Sequence, residues 1–159
     1  MAAAFIGNSA HALDDKGRVI IPSKFRDQLS SDVDGDGFVA TPAPEGCLFL
    51  YTRTEWARIC QDQSALPKGS PALRQWQRLW VANAETLPID KQGRVLLPES
   101  LRRIAKLDRD VVLAGCFDRI EVWTREGWDR AQAEASTNFP QHTQEFLSAG
   151  GAPQPREAN

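Results

Sequence analysis

Leu13-Asp14-Asp15-Lys16-Gly17-Arg18-Val19-Ile20-Ile21-Pro22 returns 76 positions later as Ile89-Asp90-Lys91-Gln92-Gly93-Arg94-Val95-Leu96-Leu97-Pro98. Arg26 follows the first copy at the same distance as Arg102 follows the second. A further echo pairs Tyr51-Thr52-Arg53-Thr54-Glu55-Trp56 with Trp123-Thr124-Arg125-Glu126-Gly127-Trp128, now 72 positions apart. The chain therefore says one thing twice, and internal pseudo-two-fold symmetry is expected. A charged turn presented twice suits a binding surface better than a single catalytic pocket.

Each copy reads as strand, turn, strand, helix, strand, strand, helix. Gly17 and Gly93 supply the positive φ that a short hairpin loop demands. The β-branched run after Arg18 reads as a strand. Pro22 has no place inside a central strand but suits the first turn of a helix. Phe25 and Leu29 then form one apolar helical row, matched by Leu101 with Ile104 or Ala105. The four extra residues of the first copy fall in the polar loop 30–37. Strands are expected around Phe38-Val39-Ala40, Cys47 to Tyr51, Val111 to Ala114 and Ile120 to Trp123. Thr52 or Thr54 caps a helix carrying Trp56, Ile59 and Cys60 on one face. Ser70-Pro71 opens another, with Leu73, Trp76 and Trp80 inward. It lacks a counterpart in the second copy unless that is the segment after Pro140. The Gly/Pro-rich tail reads as disordered.

Composition sets outer limits. With 159 residues, 42% of them hydrophobic and 25% charged, the chain reads as globular. At this length it buries roughly 70% of its unfolded surface and needs no staples. A net charge of −2 argues against a strongly basic nucleic-acid protein, yet leaves room for a local basic patch. Cys47, Cys60 and Cys116 are odd in number and lack C-x-x-C spacing, so buried, unpaired thiols in a reducing cytoplasm are expected. Met1-Ala2-Ala3-Ala4-Phe5-Ile6-Gly7-Asn8 lacks the basic start and apolar core of a signal peptide, and residues 111–117 are too short to cross a bilayer. A cytoplasmic protein without a membrane partner is expected.

The Asp-x-x-Gly-Arg turn is the main candidate for function. An aspartate opening a tight loop accepts backbone N–H bonds and fixes its shape. Asp14, Gly17, Asp90 and Gly93 take this structuring role. The arginine is then held at the base of the next strand, where a preorganised guanidinium suits bidentate contact with guanine O6 and N7, or with phosphate. Lys16 adds phosphate attraction without sequence information. The competing reading is an Asp14–Arg18 ion pair that only closes a hairpin.

Other motifs point away from chemistry. Asp32-Val33-Asp34-Gly35-Asp36-Gly37 opens like an EF-hand loop, but Ala43 stands where the bidentate glutamate belongs, so no metal is expected. The five tryptophans sit at core or interface spacing rather than as a base-stacking platform. Trp76 and Trp80, one helical turn apart, form an oligomer contact if the core leaves them uncovered. His11 and His142 are isolated. No G-x-S-x-G, P-loop or H-E-x-x-H occurs, so neither an enzyme nor a bound cofactor is expected.

Gly7-x-x-x-His11-x-Leu13-Asp14-x-Lys16-Gly17-Arg18-x-x-Ile21-Pro22-x-Lys24-Phe25-Arg26, with Gly46-Cys47-Leu48-Phe49-Leu50-Tyr51 and the second Asp90-x-x-Gly93-Arg94 turn, resembles the MraZ family of bacterial transcription regulators. The resemblance runs from about Phe5 to Phe146. It implies an α+β fold of two pseudo-symmetric AbrB-like swapped-hairpin halves, forming a small β-barrel flanked by helices. The halves are then residues 1–82, including a connecting helix, and 83–148, with 149–159 a disordered tail. It also implies ring-shaped homo-oligomers on the nucleoid. These bind double-stranded DNA at direct repeats near the promoter of the division and cell wall gene cluster, repressing it together with the regulator's own gene. The family's DNA-contacting arginine falls on Arg18, with Lys16 beside it. Arg94 and Lys91 are the second-turn positions, and Gln92 stands opposite Lys16. The other functional class is a ring-forming interaction or assembly protein whose turns are purely structural.

Overall fold

The computed structural model describes residues 3–30, 37–64 and 66–150. Their elements run β1 (Phe5–Ala12), β2 (Arg18–Ile20), α1 (Ser23–Arg26), β3 (Gly37–Pro42), β4 (Leu48–Thr52), α2 (Arg53–Ser64) and α3 (Pro71–Trp80). The order continues with β5 (Glu85–Pro88), β6 (Arg94–Leu96), α4 (Glu99–Ile104), β7 (Asp110–Phe117), β8 (Ile120–Thr124) and α5 (Arg125–Ser148). This is an α+β fold, and the element order of each copy follows the reading of the repeat. The loop 31–36 and the tail 151–159 lie outside the described residues, so the four-residue insertion, most of the EF-hand-like run and most of the tail go undescribed.

Two compact units divide the chain, Met1–Gly127 and Trp128–Asn159. The first holds all eight strands found among the described residues. Six form an antiparallel sheet in the order β1-β7-β8-β4-β3-β5, and β2 pairs with β6 in a separate ribbon. The ladder is open, ending at β1 and β5, so the barrel expected from the resemblance is not closed by hydrogen bonds. Pro22 and Pro98 explain why. A proline ends each ribbon strand within two residues, since it cannot donate to a ladder. Strands of three residues are too short to bridge the two edges of the sheet. The chain crosses between copies at every pairing outside the local hairpins: β1 pairs with β7, β4 with β8, β5 with β3, and β2 with β6.

Pro22 and Pro98 are the N-cap residues of α1 and α4, one place earlier than the first helical position expected of them. Their φ values of −53° and −59° come with extended ψ, which turns the chain out of the ribbon and into the helix. Phe25, Leu101 and Ala105 point into the core, while Ile104 is exposed. Phe5, Phe25 and Phe38 meet there edge-on and tilted, with ring centroids 5.9 and 6.2 Å apart. Val19, Ile21, Val95 and Leu97 reach the same core from the ribbon. Burying side chains of this size contributes about 1.5–3 kcal/mol each, which anchors the ribbon to the sheet.

Thr52, rather than Thr54, caps α2, accepting the Glu55 N–H at 3.1 Å. Ser70 caps α3 through the Leu73 N–H. Trp56, Trp80 and Trp76 form a stacked column with centroids 4.7 and 4.6 Å apart. Only Trp80 of the three is buried; Trp76, expected inward, is exposed at the column's end. The thiols also depart from expectation: Cys47 is buried, Cys116 half-buried, and Cys60 exposed on α2. In the second unit the helix α5 runs on through Pro140 to Ser148, so no separate helix follows that proline. Phe139 and Phe146 are exposed on it. Among the described residues no helix is long and apolar enough to cross a membrane.

Candidate nucleic-acid interface

The two turns have one construction. Asp14 N–H donates to the Arg18 carbonyl at 2.9 Å and Gly17 N–H to the Asp14 carbonyl at 3.0 Å; Asp90, Arg94 and Gly93 repeat this at 2.8 and 3.0 Å. The Asp14 Oδ1 accepts the backbone N–H of Lys16 at 3.0 Å and of Arg18 at 2.9 Å. Asp90 Oδ1 accepts those of Gln92 and Arg94, both at 2.9 Å. One carboxylate oxygen thus closes each loop, and Gly17 (φ 85°) and Gly93 (φ 79°) supply the left-handed turn. Hydrogen bonding from the Arg18 backbone N–H, then its guanidinium and the Lys16 N–H, holds the Asp14 carboxyl at about 2, against an ordinary 3.8. Asp90 is lowered for the same reasons, led by the Arg94 N–H. Both therefore remain ionised and can hold a cation.

The cations they hold are Arg18 and Arg94. Arg18 Nε donates to Asp14 Oδ2 at 2.6 Å, and Arg94 Nε to Asp90 Oδ2 at 2.9 Å. Fixing Nε leaves the terminal amino groups of Arg18 at the far end of the side chain, in the geometry an end-on bidentate contact uses. The ion pair and the forward-pointing fork thus coexist on one arginine. The turns differ in freedom. Arg94 also bonds Gln92 Oε1 through Nη2 and lies 4.0 Å from Asp14 Oδ2 through Nη1. Its side chain is 25% exposed, against 32% for Arg18. Lys16 and Lys91 are exposed at the loop tips.

The ribbon brings the turns together. Val19 pairs with Val95 at its centre, flanked by Arg18 with Leu96 and Ile20 with Arg94. The ladder extends at both ends through Ile21 N–H to the Gly93 carbonyl at 2.9 Å and Leu97 N–H to the Gly17 carbonyl at 3.0 Å. Strand alternation buries Val19 and Val95, and puts Arg18, Ile20, Arg94 and Leu96 on the other face. Ile20 is 52% exposed there and Leu96 51%. The outward face is therefore an apolar pair flanked by two arginines on a ribbon three residues long. Among the described residues, no group of three or more His, Cys, Asp or Glu is arranged to hold a metal ion.

The family model described as "MraZ protein, putative antitoxin-like" matches residues 4–79 and 81–149. The "Transcriptional regulator MraZ" of Desulforamulus reducens is 41% identical over 137 residues, 86% of this chain and 93% of that relative. The protein of that name from Lachnoclostridium phytofermentans is 41% identical over 89% of this chain and 96% of its own length. That from Pediococcus pentosaceus is 39% identical over 92% and 99%. The chain belongs to the MraZ family.

Two features of the interface are not evident from the sequence. The sequence reads Ile20 and Leu96 only as strand residues, without a face; the signal for their exposure is the alternation with buried Val19 and Val95. Arg26 and Arg102 stand in the sequence only as an echo of each other. Each reaches the turn of the opposite copy. A Cβ on Gly17 would lie 2.7 Å from Arg102 Nε, and one on Gly93 2.9 Å from Arg26 Nε. Both turn glycines are buried under these guanidinium groups.

Proposed function

We propose that this chain is a cytoplasmic, nucleoid-associated transcriptional regulator that binds DNA sequence-specifically through the β2–β6 ribbon. In this reading it represses the division and cell wall gene cluster, its own gene included, and binds tandem direct repeats as a ring-shaped homo-oligomer. The relatives' shared name, transcriptional regulator, supports the class of function. The observation that carries the mechanism is the ribbon's outward face.

A two-stranded ribbon fits the major groove of B-form DNA. Arg18, held by Asp14, meets guanine O6 and N7 there; Arg94 does the same from the other end of the ribbon, and Ile20 and Leu96 contact thymine methyl groups. Lys16 and Lys91 attract phosphate from the loop tips. Each arginine–guanine pair contributes about 1–3 kcal/mol of discrimination. A ring repeats this weak contact at fixed spacing, so successive protomers add through effective concentration. The halves 1–82 and 83–148 act as AbrB-like swapped hairpins, a reading supported by the exchange of β1 and β5 between copies and by the ribbon they share.

The test is fluorescence anisotropy with DNA from upstream of the protein's own gene, intact or with its repeats scrambled. Tight binding to intact repeats, lost with rising salt and abolished by Arg18→Ala in oligomers of unchanged size, is the expected result. Equal binding to both DNAs, or specific binding that survives Arg18→Ala, would sink the reading. The first outcome favours an assembly protein with structural turns, a role suited to the fully engaged Arg94.

A further inference from the structure

Arg26 is the last residue of α1 and Arg102 lies within α4, at equivalent places in the two copies. Arg26 Nε donates to the Ile21 carbonyl at 2.9 Å, and Arg102 Nε to the Leu97 carbonyl at 2.9 Å. Each guanidinium then rests against the glycine of the other copy's turn. Measured to an ideal Cβ on Gly17, Arg102 Cζ lies at 2.8 Å and Nη2 at 3.1 Å; Arg26 Cζ and Nη1 lie at 2.9 and 3.1 Å from one on Gly93. A bare glycine lets a planar group approach this closely.

These arginines differ from the structural ones of the chain. Arg119 bonds Glu121 and Asp118 and covers the Phe49 ring. Arg58 bonds Glu55 and Asp62, and Arg103 bonds Glu99. Arg26 and Arg102 have no carboxylate partner among the described residues, and their terminal amino groups make no hydrogen bond there. Each is thus a cation fixed by one Nε bond and one flat contact, with its fork unspent. Fixing a long side chain beforehand removes an ordering cost that binding otherwise carries. Gly17 directly precedes Arg18 and Gly93 precedes Arg94, so one such fork stands beside each outward arginine, at opposite ends of the ribbon. Counting the two turns with these arginines gives six cations (Lys16, Arg18, Arg26, Lys91, Arg94, Arg102) against three carboxylates (Asp14, Asp15, Asp90), in a chain of net charge −2.

We infer that Arg26 and Arg102 are phosphodiester anchors, each gripping the DNA backbone beside the turn built by the other copy. The inference rests on the DNA reading above and divides the labour within it. Arg18 and Arg94 face base edges, whereas Arg26 and Arg102 take phosphate oxygens, for which a planar fork is matched. Backbone contacts set affinity and register without reading sequence.

The salt dependence of binding tests this. The full chain and its Arg26→Gln and Arg102→Gln variants are titrated with intact and scrambled repeats at four salt concentrations. Each anchor lost lowers the slope of log K against log salt by about 0.9 per bound protomer. It weakens intact and scrambled DNA by the same factor, leaving their ratio at the wild-type value, whereas Arg18→Ala collapses that ratio. Wild-type slopes in both folded variants, or a changed ratio, would overturn the assignment. Thermal melts identify a variant that fails to fold; the two sites predict the same slope change independently, so the exposed Arg26 decides if Arg102→Gln unfolds. If wild type itself ignores the repeats, base readout has failed, and the slopes on scrambled DNA still decide whether the anchors exist.

Discussion

Gly17→Ala separates the turn's backbone requirement from the guanidinium laid against it, because the chain carries its own control. Gly46 has φ 89° and Gly17 has φ 85°, so alanine suffers the same left-handed penalty at both, about 1–2 kcal/mol. Nothing lies within 4 Å of a Cβ on Gly46, so Gly46→Ala meets that penalty alone. A Cβ on Gly17 meets Arg102 atoms at 2.7, 2.8 and 3.1 Å, where carbon contacts relax at about 3.5–4.0 Å. The guanidinium must retreat by roughly 1 Å, which breaks its 2.9 Å bond to the Leu97 carbonyl. That side chain is part-exposed and water replaces much of the loss, so the added cost is about 1 kcal/mol, the typical net value of one hydrogen bond. For a domain of this size each kcal/mol lowers Tm by about 2–4 °C. Differential scanning fluorimetry at fixed protein concentration should then give a drop of about 2–8 °C for Gly46→Ala and about 4–12 °C for Gly17→Ala. In an Arg102→Ala background, Gly17→Ala should fall back to the Gly46 cost, a coupling of about 1 kcal/mol. Equal losses at Gly17 and Gly46, or no coupling with Arg102, would refute the cross-copy contact. Gly93→Ala with Arg26→Ala repeats the cycle at the second turn.

Other perturbations follow from the same structure. The Asp14 carboxyl sits at about 2 in the folded chain against an ordinary 3.8, so its contribution is complete above about pH 4 and disappears as pH falls toward 2; Asp14→Asn should flatten the acid limb of the unfolding curve there, and an unchanged limb counts against the loop bonds. Thiol labelling followed by mass spectrometry should modify exposed Cys60 first, then half-buried Cys116, whose thiol burial pushes up to about 11, and buried Cys47 only on unfolding; early labelling of Cys47 would contradict its packing. Buried Glu121 accepts Arg119 Nε and Nη2 at 3.1 and 2.8 Å and the Trp123 indole N–H at 2.9 Å, so Glu121→Ala should cost about 2–4 kcal/mol by chemical denaturation, and a loss under 1 kcal/mol would show that water replaces the carboxylate.

The turns were legible in sequence because their geometry is local. Asp14 Oδ1 bonds two N–H groups within four residues, and Gly17 supplies a φ that few other residues adopt, so composition alone dictates the shape. Strand order was legible only as repetition. The copies Val19 and Val95 look identical in sequence, and nothing local says that they pair with each other rather than with neighbours in their own halves. The Trp column failed for a related reason: helical spacing placed Trp76 and Trp80 on one row, but whether an opposing element covers both ends is a long-range fact. Cys60 shares a helix with Trp56 and Ile59, yet the apolar arc of α2 is too narrow to include it. The open sheet turns on two prolines whose effect on β2 and β6 depends on how far those strands had to reach.

The reciprocal contacts also bear on why the two turns need not be equivalent. Each turn is completed by the copy it does not belong to: Arg102 covers Gly17, Arg26 covers Gly93, and the ribbon's end bonds join Ile21 to Gly93 and Leu97 to Gly17. The cross-copy backbone bonds at Ile21–Gly93 and Leu97–Gly17 hold both turns in one frame, so a break in either bond is felt at both turns. The residues at the loop tips are under no such constraint. Lys16 in one turn and Gln92 in the other occupy equivalent places without touching this scaffold, and Gln92 instead bonds Arg94. The contacts that cross between copies thus repeat from one turn to the other, while the residues at the loop tips differ. Arg18, bound by Asp14 alone, keeps the more available fork, and Arg94, shared among Asp90, Gln92 and Asp14, must break more bonds to offer the same contact.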